Sequence, residues 1–205
     1  MSKVVNAVTL VVEGVTDEVV AKRLLDENGW ICSFVYGKAG KAAIDRALTG
    51  YNNAARFSQW LVLRDLDSDA ACAPELREAL LASPSRGMRL HVAVHAVEAW
   101  LLGDSEALSD FLAVPRDRVP ADPERLVHPK RTLLELARRS RRRAIREALV
   151  PAAGMTAQVG PGYAAALITF ATSHWRPVVA ASKCESLERL RRFLRRLSSE
   201  RAGSC

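Results

Sequence analysis

Apolar residues occupy nearly every position from Val4 to Val12, most of them β-branched. Such a run predicts a strand buried on both faces. The pattern then changes period. Val19, Val20, Leu24 and Leu25 share one side of a helix predicted over Asp17–Asn28, with Thr16 as its N-cap and Gly29 as its stop. A second strand follows over Ile31–Tyr36, a tight basic turn over Gly37–Lys41 (GKAGK), and a helix over Ala42–Gly50. The alternation repeats with a strand at Gln59–Arg64, a helix at Pro74–Ala82 opened by proline, a strand at Leu90–Val94 and a helix at Val97–Leu102. Strands alternating with helices predict an α/β fold: an open, mostly parallel sheet with helices on both faces. Sites in such sheets lie beyond the carboxyl ends of the strands.

The period changes again after residue 114. Pro115–Pro129 holds four prolines and reads as a connector. Helical patterns follow at Pro129–Leu149, Gly162–His174 and Cys184–Leu197; in the last, Leu187, Leu190, Phe193, Leu194 and Leu197 keep helical spacing opposite a face of arginines. The expected division is therefore an α/β core over residues 1–114 and a basic helical extension packed on it over 115–205.

Charge sharpens that division. The net charge is +7, yet residues 1–120 carry 13 Lys/Arg against 16 Asp/Glu, and residues 121–205 carry 17 against 7. An acidic front suits cations and a basic back suits phosphates. The arginines at 138–146 and 189–196, among them Arg138, Arg139, Arg142 and Arg192, can neutralise a nucleic-acid backbone without reading sequence. The four cysteines lack metal or redox spacing, which suits a reduced, cytoplasmic protein. The first apolar run is too short to span a bilayer and lacks a signal-peptide layout, so no membrane role is expected.

The acids sit where the predicted sheet would put a site. Glu13 closes the first strand and precedes the expected N-cap by three residues, so capping does not account for it; a carboxylate there must be paired, solvated or metal-bound. Asp17 is a candidate second ligand, whereas Glu18 suits the helix dipole. Asp65, Asp67 and Asp69 follow the third strand at alternate positions, where their mutual repulsion suits a hard cation such as Mg²⁺. The competing reading for Asp69 is a cap on the next helix. An EF-hand starting at Asp65 fails, because its sixth and twelfth positions are Ala70 and Leu76. No P-loop is present, but Lys38 and Lys41 stand at a strand end where they can meet a phosphate. His91 and His95 lack the intervening glutamate of a zinc helix and read as structural. A receiver-like phosphoacceptor domain needs an acid pair after strand one and a lysine after a fifth strand, and neither is found.

VEGVTD after the first strand and RDLDSD after the third resemble the TOPRIM domain of topoisomerases and primases. The resemblance implies Mg²⁺ or Mn²⁺ at Glu13, Asp65 and Asp67, with hydrolysis of phosphodiester bonds; Asp17 matches an extra acid of the OLD-type nuclease branch. VEAWLLGD (97–104), HPKRTL (128–133) and SLERLRRFL (186–194) are similar to a bacterial family of TOPRIM-like proteins found beside ATPases of the OLD and structural-maintenance type. This adds Glu98 as an acid at the site edge and Lys130 as a lysine steadying charge at the scissile phosphate. Asp104 reads as the cap before SEALSDFL. The chain is too short for strand passage and has no zinc ribbon for a primase. The expected function is a Mg²⁺-dependent nuclease, an effector in defence or repair working with an ATPase. A non-catalytic subunit of such a complex is the alternative. The sequence leaves Glu13 open as metal ligand or as general acid or base.

Overall fold

The computed structural model describes residues 6–202, with side chains described through residue 199. Its contacts divide the chain into two units, residues 1–94 with 188–205, and residues 95–187. The expected boundary at 114/115 followed the prolines; the observed one falls earlier, and the chain returns to its first unit at the end.

Among the described residues the first unit has four strands: β1 (Ala7–Val12), β2 (Ile31–Gly37), β3 (Trp60–Asp65) and β4 (Met88–Ala93). They form one all-parallel sheet in the order β2-β1-β3-β4. Between them run α1 (Val15–Glu27), α2 (Lys41–Ala54) and α3 (Ala73–Leu81). The first crossover steps one way along the sheet and the next two step the other way. Right-handed connection then places α1 on one face and α2 and α3 on the other. Ile44 and Leu48 of α2 pack with Val11, Val62 and Leu90, and Leu76 of α3 packs with Leu66 and Val92. The alternate residues Leu10, Val12, Leu61 and Leu63 are fully buried and face the other way. β1 and β3 are mostly apolar, with Thr9 and Arg64 the exceptions in their interiors, because each is flanked by strands and covered above and below. β2 is the sheet edge, and there Ile31, Phe34 and Tyr36 are exposed.

The second unit is helical: α4 (Val97–Gly103), α5 (Ser105–Leu112), α6 (Pro129–Arg138), α7 (Arg143–Leu149), α8 (Tyr163–Ser173) and α9 (Pro177–Ala181), with 3-10 turns at Arg116–Arg118 and Pro123–Arg125. Every residue of α4 is buried, which explains why the unit begins there and not at the prolines. The Trp175 indole donates to the Trp100 carbonyl at 3.1 Å, and the Trp100 indole donates to Ser186 Oγ at 2.8 Å. Gly103 lets α9 approach: a Cβ there would meet Ala180 O at 2.9 Å and Cys184 Sγ at 2.8 Å. The single helix expected over Pro129–Leu149 is two. Crowded arginines oppose helix continuation at RRSRRR, and Ser140 Oγ accepts from Arg142 N at 3.0 Å, an alternative to the helical bond.

The last helix, α10 (Glu185–Ala202), starts in the second unit and continues into the first. In the first unit Ser198 Oγ receives the Trp30 indole at 2.7 Å and donates to Asn28 O at 2.9 Å, while the Arg89 guanidinium lies 4.5 Å from the centre of the Phe193 ring. Among the described residues no helix is long and apolar enough to cross a membrane.

Candidate functional site

The sheet order reverses between β1 and β3, so a crevice opens at their carboxyl ends. Register sets Val11 beside Val62. Two residues on, Glu13 comes beside Arg64, and the motifs VEG and RDLD meet. Gly37 helps close this end. Its φ of +92° is in the region that favours glycine, and a Cβ would lie 2.2 Å from Val12 O. The GKAGK turn is pinned to β1 by Lys38 N donating to Val12 O at 2.8 Å and Gly40 N donating to Glu13 O at 3.2 Å.

Helix α1 starts earlier than the sequence suggests. Its N-cap is Gly14, not Thr16, and Asp17 accepts from Gly14 N at 2.7 Å. Asp17 takes over the capping role because it stands three residues after the cap. Glu13 thus precedes the cap by one residue, and it still takes no part in it. Glu18 pairs with Lys22 at 2.6 Å and Lys38 at 2.8 Å; their hydrogen bonds hold its carboxyl below the usual range.

Arg64 is the centre of the site. Its side chain is 1% exposed. Nε and Nη2 form a fork on Asp45 at 3.1 and 3.2 Å, Nη2 also donates to Asp69 at 2.6 Å, and Nη1 donates to Glu13 Oε1 at 3.1 Å and to the Asp65 carbonyl. Glu13 Oε1 also receives Asp65 N at 2.8 Å. Lys41 lies one helical turn before Asp45 on α2; its ammonium donates to Asp67 at 2.9 Å and to both oxygens of Asp69 at 2.7 and 2.9 Å. Asp67 sits in the turn after β3 with φ +46°, a conformation aspartate adopts more readily than most residues.

Burial pushes the Glu13 carboxyl up and the Asp67 charge adds to it, while the Asp65 amide and Arg64 oppose the rise without cancelling it. Lys41 first and Arg64 second hold Asp69 below the usual aspartate range. Asp69 and Asp67 raise Lys41 in return. Burial would lower Arg64, but the hydrogen bonds of Asp45 and Asp69 and the nearby charges drive it up, so it stays a cation.

The structure therefore brings Glu13, Asp65, Asp67 and Lys41 to one strand end, with Lys41 engaged by the acids. Among the described residues no three His, Cys, Asp or Glu side chains are grouped to hold a metal ion. Arg64, Asp45 and Asp69 are the members that sequence reading missed or gave another task. Asp69 does not cap α3, whose N-cap is Cys72. A charge inside the apolar strand QWLVLR was the available signal for Arg64. Asp45 offered little, one acid in a helix.

Glu98 and Lys130 belong to the second unit, and there they meet through a residue the sequence did not suggest. The buried Tyr163 hydroxyl donates to Glu98 Oε1 at 2.9 Å, and the Lys130 ammonium lies 5.2 Å from the centre of the Tyr163 ring. Asp104 caps α5 through Ala107 N at 3.3 Å, as expected, and also binds Arg176. Arg138 lines a cavity of about 510 Å³ with Arg146, Glu147 and Pro151, and Arg139 lines one of about 370 Å³ with Arg118 and Leu136. Arg142 donates to Phe111 O at 3.3 Å and Arg192 pairs with Glu188 at 3.7 Å; all four arginines are exposed. No family model, curated protein or solved structure matches this chain.

Proposed function

We propose that the protein is a TOPRIM-like, Mg²⁺- or Mn²⁺-dependent nuclease acting on DNA or RNA phosphodiester bonds. The observation that carries this reading is the placement of Glu13, Asp65 and Asp67 at or just after the ends of the neighbouring strands β1 and β3, at the topological switch of a parallel sheet. The donor set suits a hard divalent cation in its chemistry. Four carboxyl groups (Glu13, Asp45, Asp67, Asp69) pair with two cations, Arg64 and Lys41, Asp65 stands at the same strand end, and every donor is oxygen. Asp65, Asp67 and Glu13 would hold the metal, with Asp17 a further candidate on the resemblance alone. Bound there, it supplies charge stabilisation and a more acidic water. Glu13 has the alternative role of general acid or base, with Asp65 and Asp67 alone holding the metal. Lys41 is the exposed cation and the one that can move from the acids to a substrate phosphate.

Purified protein with Mg²⁺ or Mn²⁺ is expected to cleave single- or double-stranded DNA or RNA, alone or with an ATPase, and Asp65→Ala and Asp67→Ala are expected to abolish it. Absence of cleavage under all these conditions sinks the enzyme reading. A second reading, a non-catalytic subunit of an ATPase complex, is favoured by one observation: the carboxylates are already held by Arg64 and Lys41, with no metal-ready group of three among the described residues. Titration calorimetry separates the two, since this subunit takes up no Mn²⁺ that depends on Asp65 and Asp67. The ATPase partner, the defence or repair role and the parts played by Glu98 and Lys130 rest on the motif resemblance. Sequence-tolerant nucleic-acid binding rests on the exposed arginines.

A further inference from the structure

Most acids of the strand-end array have a direct bond to one buried guanidinium. We propose that Arg64 is the positioning residue of this site: it holds Glu13, Asp45 and Asp69 in one array and keeps Glu13 Oε2 as the oxygen presented outward. This rests on the hydrolytic reading of the site. Oε1 of Glu13 is occupied by two donors, Asp65 N at 2.8 Å and Arg64 Nη1 at 3.1 Å. Oε2 takes no hydrogen bond among the described residues, so one oxygen is fixed and the other is left for a ligand or a proton. Arg64 is suited to the task by shape. Its planar fork sends Nε and Nη2 to Asp45, Nη2 to Asp69, and Nη1 to Glu13 and the Asp65 carbonyl. A lysine supplies one point of charge and cannot span three carboxylates from two strand ends and a helix. At 1% exposure the guanidinium itself has almost no access to water, so its donors depend on these groups.

The test uses the full chain with Arg64→Met, Arg64→Lys and Asp45→Asn, the last of which weakens the fork without touching Glu13. Amide exchange of Asp65, whose N–H binds Glu13, is compared with that of Val62 inside the sheet, and Mn²⁺ binding is followed by paramagnetic resonance. In Arg64→Met, Asp65 is expected to exchange about tenfold faster relative to Val62. Mn²⁺ affinity is expected to fall about tenfold and turnover about a hundredfold, the range for residues that orient ligands. Arg64→Lys recovers a minor part, and Asp45→Asn shifts the same readouts in the same direction. Unchanged Asp65 exchange in folded Arg64→Met overturns the proposal. If that variant does not fold, unchanged exchange in Asp45→Asn overturns it instead. Wild-type protein that neither binds Mn²⁺ nor cleaves sinks the hydrolytic reading, and the exchange of Asp65 still decides whether Arg64 positions Glu13.

Discussion

Arg64 and Arg176 both gather carboxylates, but the desolvated partner is opposite in the two. In the first unit the arginine is buried, at 1% exposure, and its acids lie toward the surface. In the second unit Asp104 is buried, at 0% exposure, and Arg176 reaches it from a side chain 45% exposed. Asp104 spends both oxygens: Oδ1 accepts from Ala107 N and Arg176 Nη2, and Oδ2 accepts from Arg176 N and Nε. That pair locks a helix start to a later loop. The Arg64 array leaves carboxyl oxygens such as Glu13 Oε2 without a hydrogen bond among the described residues. Burying the cation therefore builds a platform of acids, and burying the anion builds a clasp.

The sharpest break of this comparison is a crossed pair of variants. Asp67→Ala is expected to lower metal-dependent cleavage at least about a hundredfold while leaving the urea midpoint close to wild type. Asp104→Ala is expected to do the reverse, costing about 3 kcal/mol of stability because a buried cap and ion pair are lost, with cleavage per folded molecule unchanged. Next in size, Gly103→Ala drives a methyl into Ala180 and Cys184 and is expected to cost about 2 kcal/mol by chemical denaturation. A smaller effect of about 1 kcal/mol is expected for Tyr163→Phe, which removes one buried hydrogen bond to Glu98 but keeps the ring beneath Lys130.

Acid sharpens the clasp further. Burial raises the Asp104 carboxyl, but the Arg176 bonds and the Ala107 and Arg176 amides outweigh it, so the native group lies below the ordinary range. A lowered native value means the stabilisation is complete above the unfolded value of about 3.9 and is lost as pH falls through the lower native one. The stability gap between wild type and Asp104→Asn is expected to close across that window in urea unfolding at stepped pH. A gap that stays constant below pH 3.9 refutes the clasp.

The alternation of strands and helices and the acids at the strand ends were readable because their signals are local. β1 and β3 are apolar at most consecutive positions; Glu13 stands where the first run stops, and Asp65 follows Arg64 just after the second. The placement of α1's cap was not readable, since Thr16 competes with Gly14 and only the bond from Gly14 N to Asp17 decides it. Arg64 and Asp45 were missed because their meaning lies in partners 19 residues apart in sequence. The division of the chain was misjudged for a similar reason: prolines mark a turn in the chain, and the burial of all of α4 marks the start of a packed body. Tyr163 lies 65 residues from Glu98, beyond any local pattern.

The return of α10 sets an order of events during synthesis. The indole of Trp30 finds Ser198 across 168 residues, so a ribosome releasing the chain from its N-terminus exposes the finished sheet long before its last helix exists. At about 5–20 residues per second the interval in which the stretch between β4 and Ser198 emerges lasts about 5–20 seconds. Throughout it, the sheet surface awaiting α10 is open to chaperones and to other nascent chains, and the second unit has time to fold inside the gap. Trp30 fluorescence therefore reports the closing step of biogenesis, not its beginning.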